Sequence, residues 1–320
     1  MIRIQYLTVG VACIDEVYDL AEYPEQDSKV RATSKALQRG GNAANTAVVL
    51  SGLLADKEAG VKSNRVFLCA AISDDAEGKF IEQDLLEHKV GTCGLIWRSS
   101  REESTPKSVV LRVKDTRTIV HHRNSREISP EEFNQALKAV QDSTEVDKGM
   151  SLWVHFEGRS TQDTLEMMQT VRSQAGRPCR MSLELERART RDECQLLTTS
   201  PEVVVFSNSF VKSFGFTNFQ LFIESFLLAQ GYGPRDSREA LWVCTVGEQG
   251  SIGAVVLQNR LLELFHVPAA TVTAVTDSLG AGDAYLAGLL YSLGTLALSN
   301  REALGFATDV AAHKIQKTGF

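Results

Sequence analysis

The stretch Asp277-Ser278-Leu279-Gly280-Ala281-Gly282-Asp283 leads directly into an apolar segment, residues 284–290. Its small residues at 280–282 predict a turn that brings backbone amides together at the start of a helix. The partial positive charge of a helix N-terminus suits a phosphate or a developing anion. Asp283 falls in the first helical turn, where a carboxylate can accept a proton from a hydroxyl. The stretch therefore predicts an anion hole beside a general base, and the alternative is a tight turn with a dipole-favouring aspartate.

The composition is that of a large globular chain. Hydrophobic residues make up 43% and charged residues 23% of the 320 residues, which supplies one large core and excludes a disordered or disulfide-stapled protein. The net charge of −6 disfavours a nucleic-acid partner, because an acidic surface repels phosphate backbones. No signal peptide is recognisable, and the apolar stretch 284–298 is shorter than the roughly 20 residues of a membrane span. We therefore expect a cytoplasmic protein with no membrane partner.

Apolar, β-branched segments alternate with segments of helical period along most of the chain. The predicted strands are Ile4–Val11, Val66–Ile72, Leu152–Phe156, Met181–Leu185, Val203–Phe206 and Leu241–Val246. The predicted helices are Asn42–Leu54, Gly78–His88, Pro130–Gln141, Gln162–Gln174, Phe219–Ala229, Gly282–Leu293 and Asn300–Lys317. This order predicts an α/β fold with a mostly parallel central sheet, covered by helices on both faces. We expect a single domain over residues 1–320.

Two regions break this alternation with the apolar-polar pattern of half-exposed strands. They are Val30–Leu37 and the pair Ser108–Val113 and Arg117–His122. Because both interrupt the order of strands and helices, we expect them to form one small antiparallel sheet at the edge of the main domain. The segments 14–40 and 93–122 would then be a β lid inserted into that domain.

Two sequence regions together resemble the signatures of the PfkB or ribokinase family of carbohydrate kinases. One is Arg39-Gly40-Gly41-Asn42-Ala43-Ala44-Asn45-Thr46-Ala47, and the other is the stretch 277–290. The resemblance implies a ribokinase-like fold and an ATP-dependent kinase that phosphorylates a hydroxyl of a small free sugar. Shorter segments resemble the ketohexokinases, the fructokinase branch of this family, and imply a ketohexose such as fructose; they are 23–28, 38–42, 117–120, 155–159 and 182–186.

The resemblance also implies roles for single residues. Asp283 would be the base, and the anion hole would be formed by Gly280, Ala281 and Gly282. The implied sugar-binding residues are Asp15, Asp27, Gly41, Asn42 and Asn45. We expect Asp15 just past the first strand, where open α/β sheets bind ligands. Asp27 would lie in the lid, either as a contact to a sugar in its own or a partner subunit or as an exposed loop acid.

A further group is implied to bind phosphate or ATP. Its members are Arg117, Arg159, Asn208, Thr245, Gly247, Gly250, Ala307 and Ala311. Arg159 has an alternative as the ion-pair partner of Glu157. Alternatively, the glycines at 247 and 250 only form a hairpin turn. The alanines on the last helix would then only allow close packing against a neighbouring element.

Magnesium is expected to enter on the phosphates of ATP, with no metal site built by the protein. Many relatives carry N-x-x-E after a middle strand, whereas this chain has Asn208-Ser209-Phe210-Val211, without the glutamate. Glu184 and Glu186 alternate along a strand end, so we expect only Glu184 to face the site.

Other activities of the same fold stay open, since the motifs fix the phosphate chemistry better than the shape of a sugar pocket. They are ribokinase, 2-keto-3-deoxygluconate kinase and adenosine kinase, and adenosine is disfavoured because Val30–Leu37 has no aromatic residue to stack on a base. A non-catalytic sugar or nucleotide sensor is the alternative from another class. Apolar area on a small lid sheet also predicts a homodimer through the lids.

Overall fold

A computed structural model of the protein describes residues 3–55, 65–99, 102–114, 116–143, 150–173, 178–186, 189–227, 238–258 and 260–319. Its strands are β1 (Ile4–Val9), β2 (Cys13–Asp19), β3 (Ser34–Gly40), β4 (Val66–Cys69), β5 (Ala71–Ser73), β6 (Ile96–Arg98), β7 (Lys107–Val113), β8 (Thr116–His122), β9 (Ser151–Glu157), β10 (Cys179–Leu185), β11 (Val203–Ser207), β12 (Glu239–Thr245), β13 (Ser251–Leu257) and β14 (Arg260–Val267). Its α-helices are α1 (Asn42–Ala55), α2 (Ala76–Glu87), α3 (Pro130–Asp142), α4 (Thr161–Ser173), α5 (Arg191–Thr198), α6 (Asn208–Ser213), α7 (Phe219–Phe222), α8 (Ala281–Gly294) and α9 (Asn300–Ile315).

The main sheet has the strand order β14-β13-β12-β11-β10-β9-β1-β4. The strands from β4 to β12 in this order are parallel to their neighbours, and β13 and β14 pair antiparallel at one edge. Buried side chains of β11 alternate between the two faces: Val203 and Val205 belong to one apolar core and Val204 to the other. The predicted α/β fold with a mostly parallel central sheet is therefore confirmed.

Two apolar cores flank this sheet. The first contains buried side chains of α1, α8 and α9, and the second contains those of α3 through α7. Helices α8 and α9 approach closely at Gly288, because a Cβ there would lie 2.9 Å from the Cα of Ala307. Packing on both faces holds the carboxyl ends of the central strands in fixed positions, at the edge where α1 and α8 begin.

A second sheet stands apart from the main one, with the strand order β3-β2-β7-β8. We call these four strands the lid. The expectation of a wholly antiparallel lid was wrong, because β2 and β7 pair in parallel. Its first strand, Cys13–Asp19, was not predicted, and part of the segment 93–122 lies elsewhere, since Ile96–Arg98 pairs with β5 in a separate two-stranded sheet. The chain leaves the main sheet after Val9 and resumes extended structure in the lid, which the apolar run Ile4–Val11 does not reveal.

Several element predictions also need correction. The predicted strand Val66–Ile72 is divided at Ala70 into β4 of the main sheet and β5 of the two-stranded sheet. The antiparallel pair β13 and β14 and the short helices α5 and α6 were not predicted. Helix α7 is followed by a π-helical turn, Ile223–Leu227, and the predicted ends of two helices at Gln174 and Ala229 lie outside the described residues. Among the helices that the structure describes, none has the length and apolar character to cross a bilayer.

Candidate active site

A cavity of about 410 Å³ lies at the carboxyl ends of β1, β9 and β10, between the first turns of α1 and α8 and the inner face of the lid. The structure brings ten of the sequence-predicted site residues to its wall: Asp15, Gly41, Asn42, Asn45, Arg117, Arg159, Gly280, Ala281, Gly282 and Asp283. These residues come from both family-like motifs, from the lid and from the end of β9. The two motifs, separated by more than 200 positions in the chain, therefore form one site.

Asp283 is buried at the wall of this cavity and is held by the amide of Asn45. The Asn45 Nδ2 donates a hydrogen bond to Asp283 Oδ2 at 2.7 Å. Arg39 donates from Nη1 to Asn45 Oδ1, and its Nε contacts Asp84 Oδ2 at 2.5 Å. The guanidinium thus fixes which end of the Asn45 amide faces the carboxylate. Arg39 was quoted only as part of a motif in the sequence, and Asp84 carried no signal there.

Burial raises the pKa of Asp283 to about 7. The hydrogen bond from Asn45 opposes this rise, and the nearby Glu186 and Glu157 carboxylates add to it. A general base works best when its pKa lies near the working pH, so this carboxyl is suited to take a proton from a bound hydroxyl.

The turn before α8 has the backbone geometry of the predicted anion hole. Gly280 is the residue before the helix and has φ 77°, a left-handed conformation that favours glycine. Its carbonyl accepts the first helical hydrogen bond, from Ala284 N at 2.9 Å. The Ala281 amide donates to the Ser278 carbonyl oxygen at 3.3 Å, whereas the amides of Gly282 and Asp283 cannot be paired within the helix and are the ones available to an anion in the cavity.

Carboxylates crowd the floor of the cavity. The Asn42 Nδ2 donates to Glu186 Oε2 at 2.8 Å and lies 3.4 Å from Glu184 Oε2. The expectation that only Glu184 faces the site was wrong, because side chains two positions apart along a strand point to the same face, and both glutamates line the cavity. Burial, aided by the neighbouring carboxylates, raises the pKa of Glu184 well above its ordinary value.

Glu157 ends β9, Arg159 follows two residues later, and both line the same cavity. Glu157 Oε1 accepts hydrogen bonds from Ala43 N at 2.6 Å and Val11 N at 3.2 Å, which ties the start of α1 to the end of β1. Arg159 lies 3.6 Å from Glu157 Oε2 and 3.2 Å from Glu127 Oε1. The ion-pair alternative for Arg159 is thus present in the structure, and its side chain also faces the cavity.

The lid covers the cavity with one row of polar side chains. Asp15 pairs in register with Ser108, and Ser108 pairs with His121, so these three side chains share a face across β2, β7 and β8. The Ser108 Oγ lies 3.1 Å from His121 Nδ1. Burial raises the pKa of Asp15, and hydrogen bonds from Ser108 and Cys13 partly oppose the rise. Asp15 therefore lies within a lid strand, rather than just past the first strand of the main sheet as expected.

Ser108, His121 and Cys13 line the cavity but were not identified from the sequence. The period-2 alternation of β8 contains the signal for His121, because that residue shares the strand face of Arg117. No comparable signal marks Cys13, whose strand was not recognised.

The lid also contacts the turn before α8. The Arg117 Nη1 donates to Ser278 Oγ at 2.9 Å. Arg112 Nη1 lies 3.5 Å from the Oδ1 of buried Asp277. Two arginines thus join the lid to the residues that precede the anion hole.

Seven of the predicted site residues do not line this cavity: Asp27, Asn208, Thr245, Gly247, Gly250, Ala307 and Ala311. Asp27 is exposed, in a turn with φ 59°. Thr245 pairs with Ser251 across the antiparallel hairpin of β12 and β13, so the turn at 247–250 is a hairpin turn. At Gly250, with φ 91°, a Cβ would strike the backbone of Val267. Ala307 is fully buried in the contact between α8 and α9.

Asn208 lines a second cavity of about 410 Å³, which also borders the hairpin turn at Gln249. His266 Nε2 and the Gln249 carbonyl oxygen are 2.6 Å apart at its edge. The roles of these outlying residues in binding nucleotide stay predictions.

The sequence pattern of the "pfkB family carbohydrate kinase" matches residues 10–320. Mouse ketohexokinase is 28% identical over 320 residues, covering 99% of this chain and 97% of the mouse protein. Ribokinase from Giardia lamblia superposes with a TM-score of 0.77 at 16% identity, covering 98% of this chain and 94% of that one. A ribokinase of Arabidopsis thaliana complexed with ribose and ATP gives a TM-score of 0.72 at 16% identity, covering 100% of this chain and 94% of the plant protein. The chain therefore belongs to the pfkB family of carbohydrate kinases and is an ATP-dependent sugar kinase.

Proposed function

We propose that this kinase transfers the γ-phosphoryl group of ATP to a hydroxyl of a ketohexose such as fructose. The observation that carries the proposal is the buried carboxylate of Asp283, held by Asn45 beside the first amides of α8. The ketohexose is supported by the full-length similarity to mouse ketohexokinase, at 28% identity. Ribokinase, 2-keto-3-deoxygluconate kinase and adenosine kinase activities are the alternatives within the family.

In this mechanism Asp283 takes the proton of the sugar hydroxyl as that hydroxyl attacks the phosphorus. The amides of Gly282 and Asp283 face the charge that develops on the transferred group. Arg117, on the lid, adds a guanidinium beside the turn that leads into α8, where its Nη1 donates to Ser278 Oγ. Positioning and charge stabilisation supply most of the rate enhancement in phosphoryl transfer, so the closed arrangement of lid and turn matters as much as the base.

The row of polar lid side chains formed by Asp15, Ser108 and His121 is here called the lid row. The sugar would lie between this row and the floor of the cavity. Asp15 and Asn42 offer the carboxylate oxygens and amide that bind vicinal hydroxyls. Ser108 and His121 extend this set of polar groups on the lid. Gly41 contributes through its backbone: its φ is 94°, and a Cβ there would strike the backbone of Val11.

Magnesium is proposed to arrive as MgATP. Five carboxyl groups face the cavity, and in their charged form they would repel a bare polyphosphate; they belong to Asp15, Glu157, Glu184, Glu186 and Asp283. Within the described parts of the chain, no three His, Cys, Asp or Glu side chains converge to hold a metal ion. A divalent ion bound to the phosphates would offset this repulsion, and one or two of these carboxylates would contact it directly or through water.

The nucleotide is proposed to extend from the anion hole towards the turn at 247–250 and α9, as the family resemblance implies. Gly247 has φ 58°, and a Cβ built on it meets no atom within 4 Å, so this side of the turn is open. Thr245 at the end of β12 and Ala311 on α9 would line the nucleotide, and Asn208 would approach the phosphates from the end of β11.

We also propose a homodimer that forms through the outer faces of two lids. Val120 on β8 is 61% exposed and Leu37 on β3 is 48% exposed, both large apolar side chains. Paired lids would cover this area and bring Asp27 of one subunit towards the cavity of the other. Sedimentation velocity at micromolar protein should show a dimer, and Val120→Glu should release monomers; a wild-type monomer would contradict the proposal.

The direct test is ADP release from MgATP in the presence of fructose, ribose, 2-keto-3-deoxygluconate or adenosine. We expect turnover with fructose and a loss of at least about 1,000-fold in Asp283→Asn, because the base is removed without changing the shape of the side chain. Turnover with a different acceptor would transfer the proposal to that substrate. Sugar binding by calorimetry without ADP release would instead favour the non-catalytic sensor.

A further inference from the structure

Asp277 is a buried carboxylate that organises the turn before α8. Its Oδ1 accepts a hydrogen bond from Leu279 N at 3.0 Å. Its Oδ2 accepts one from Lys314 Nζ at 3.0 Å, and the same ammonium donates to the Asp277 carbonyl oxygen at 3.0 Å. The Asp277 amide in turn donates to the Ile315 carbonyl oxygen at 3.1 Å. The backbone that leads into the anion hole is therefore shaped around this one side chain.

Arg112 links this carboxylate to the lid. Its Nε donates to Asp19 Oδ1 at 2.6 Å and its Nη2 donates to Asp19 Oδ2 at 3.2 Å, a two-pronged contact within the lid. Its Nη1 reaches Asp277 Oδ1 at 3.5 Å. Asp19, Arg112, Asp277 and Lys314 thus form a chain of alternating charges from the lid to α9.

The placement of Arg112 in the lid is unfavourable without these partners. Arg112 and Arg117 are directly opposite each other on β7 and β8, and like charges at such positions repel. Anionic and hydroxyl groups on the turn compensate, since Asp277 faces Arg112 and Ser278 accepts a hydrogen bond from Arg117. Asp19 compensates part of this repulsion within the lid, and the turn compensates more of it where the lid meets the turn, which favours the closed position of the lid.

We propose that Arg112 is a positioning residue that couples lid closure to the anion hole, an inference that rests on the proposed kinase function. The Asp19 contact holds the guanidinium rigidly to the lid, so Arg112 reaches Asp277 only when the lid is closed. Closure then completes the set of partners of Asp277 and holds Leu279 and Gly280 in the conformation that presents the amides of α8. Phosphoryl transfer is thereby favoured when the sugar is covered and water is excluded.

The test compares Arg112→Met with Lys114→Met in steady-state kinetics on MgATP and the sugar that wild type accepts. Lys114 lies in the turn between β7 and β8, so its replacement removes one lid cation without touching Asp277. We expect Arg112→Met to lower kcat about 10-fold while the KM for sugar changes less than about twofold. Sugar-independent ATP hydrolysis should rise relative to sugar phosphorylation, because water enters a lid that closes less well. Lys114→Met should match wild type.

Asp19→Asn is the second variant, because it leaves Arg112 and the site in place and weakens the lid anchor, together with the hydrogen bond that Asp19 accepts from the Ser34 hydroxyl. A smaller loss of kcat, about threefold, is expected there, again with the sugar KM preserved. Arg112→Met within twofold of wild-type kcat, or an equal loss in Lys114→Met, would overturn the inference alone. A wild-type protein that releases no ADP with any acceptor would overturn the proposed function, and this inference with it.

Discussion

At the scale of single residues, the chemistry depends on how burial changes the acidity of Asp283. Its pKa of about 7 in the folded protein means that the carboxyl is half protonated near neutral pH. A protonated carboxyl cannot accept the proton of the sugar hydroxyl. We therefore expect kcat/KM to rise with pH through about 7 and then to level off.

The Asn45 amide should set the position of that rise. Its hydrogen bond favours the charged carboxylate and lowers the pKa of Asp283, so Asn45→Ala should move the acid limb of the pH profile to higher pH. Initial rates measured from pH 5 to pH 9 give the shift directly. An unchanged acid limb in Asn45→Ala would show that another group controls it.

Ionisation of the buried Asp283 carboxyl should also destabilise the folded protein at high pH. The pKa of this carboxyl is raised on folding, so its contribution to stability is complete below about 4 and is lost as pH rises to about 7. Asp283→Asn does not titrate and escapes this loss. On going from pH 5 to pH 8, the free energy of unfolding of the variant should therefore rise by about 2–3 kcal/mol relative to that of wild type. Urea unfolding at both pH values measures this change. A constant difference would contradict the buried, titrating carboxyl.

Neighbouring histidines of β8 offer a matched test of the lid row. His121 lines the cavity and contacts Ser108, whereas the period-2 alternation of the strand places His122 on the other face. We expect His121→Leu to raise the KM for sugar about 10-fold with little change in the KM for ATP. His122→Leu should leave both constants near wild type, and equal effects from the two substitutions would argue against sugar contact by this row.

At the scale of elements, the residue immediately before the helix that carries Asn42 and Asn45 must be glycine. Gly41 has φ 94°, and a Cβ on it would meet the Val11 carbonyl oxygen. Gly52 lies in the same helix with open space around it. Gly41→Ala should lower the free energy of unfolding by at least about 2 kcal/mol, and Gly52→Ala should raise it by up to about 1 kcal/mol. Urea unfolding of the two variants checks both signs.

Elements with strong periodic patterns could be predicted from the sequence, and those without them could not. Helices α1 and α3 begin at the residues predicted and end within one residue of the prediction. The buried positions of α3 recur on one face, whereas those of α1 run without a break from Ala43 to Val48. Strand β14 is mostly exposed at the sheet edge, so it lacks the apolar run that identified the central strands. The capping box at Thr190 and Glu193 did mark the start of α5, but a helix of eight residues gives too short a period to recognise.

At the scale of the whole molecule, the fold and most of the cavity wall could be predicted, whereas the composition of the lid could not. The two family-like motifs predicted a shared site because the carboxyl ends of parallel strands meet at one edge. The parallel pairing of β2 with β7 joins segments about 90 residues apart, and no local pattern reports such a pairing. Cys13 and Ser108 were missed for the same reason, since their place in the cavity depends on that register, whereas the alternation of β8 does place His121 on the face of Arg117.

Residues that are neighbours in the cavity lie far apart along the sequence, and this affects the order in which the molecule forms during synthesis. Asp283 follows the Asn45 that orients it by 238 positions, and most of the main sheet is translated between them. A nascent chain released before Asp283 can therefore pack the core of α3 through α7, whereas the other core still lacks α8 and α9, and the chain carries neither base nor anion hole. Incomplete polypeptides of this kinase would fold in part and stay catalytically silent, so ribosome stalling would not yield a fragment that consumes ATP.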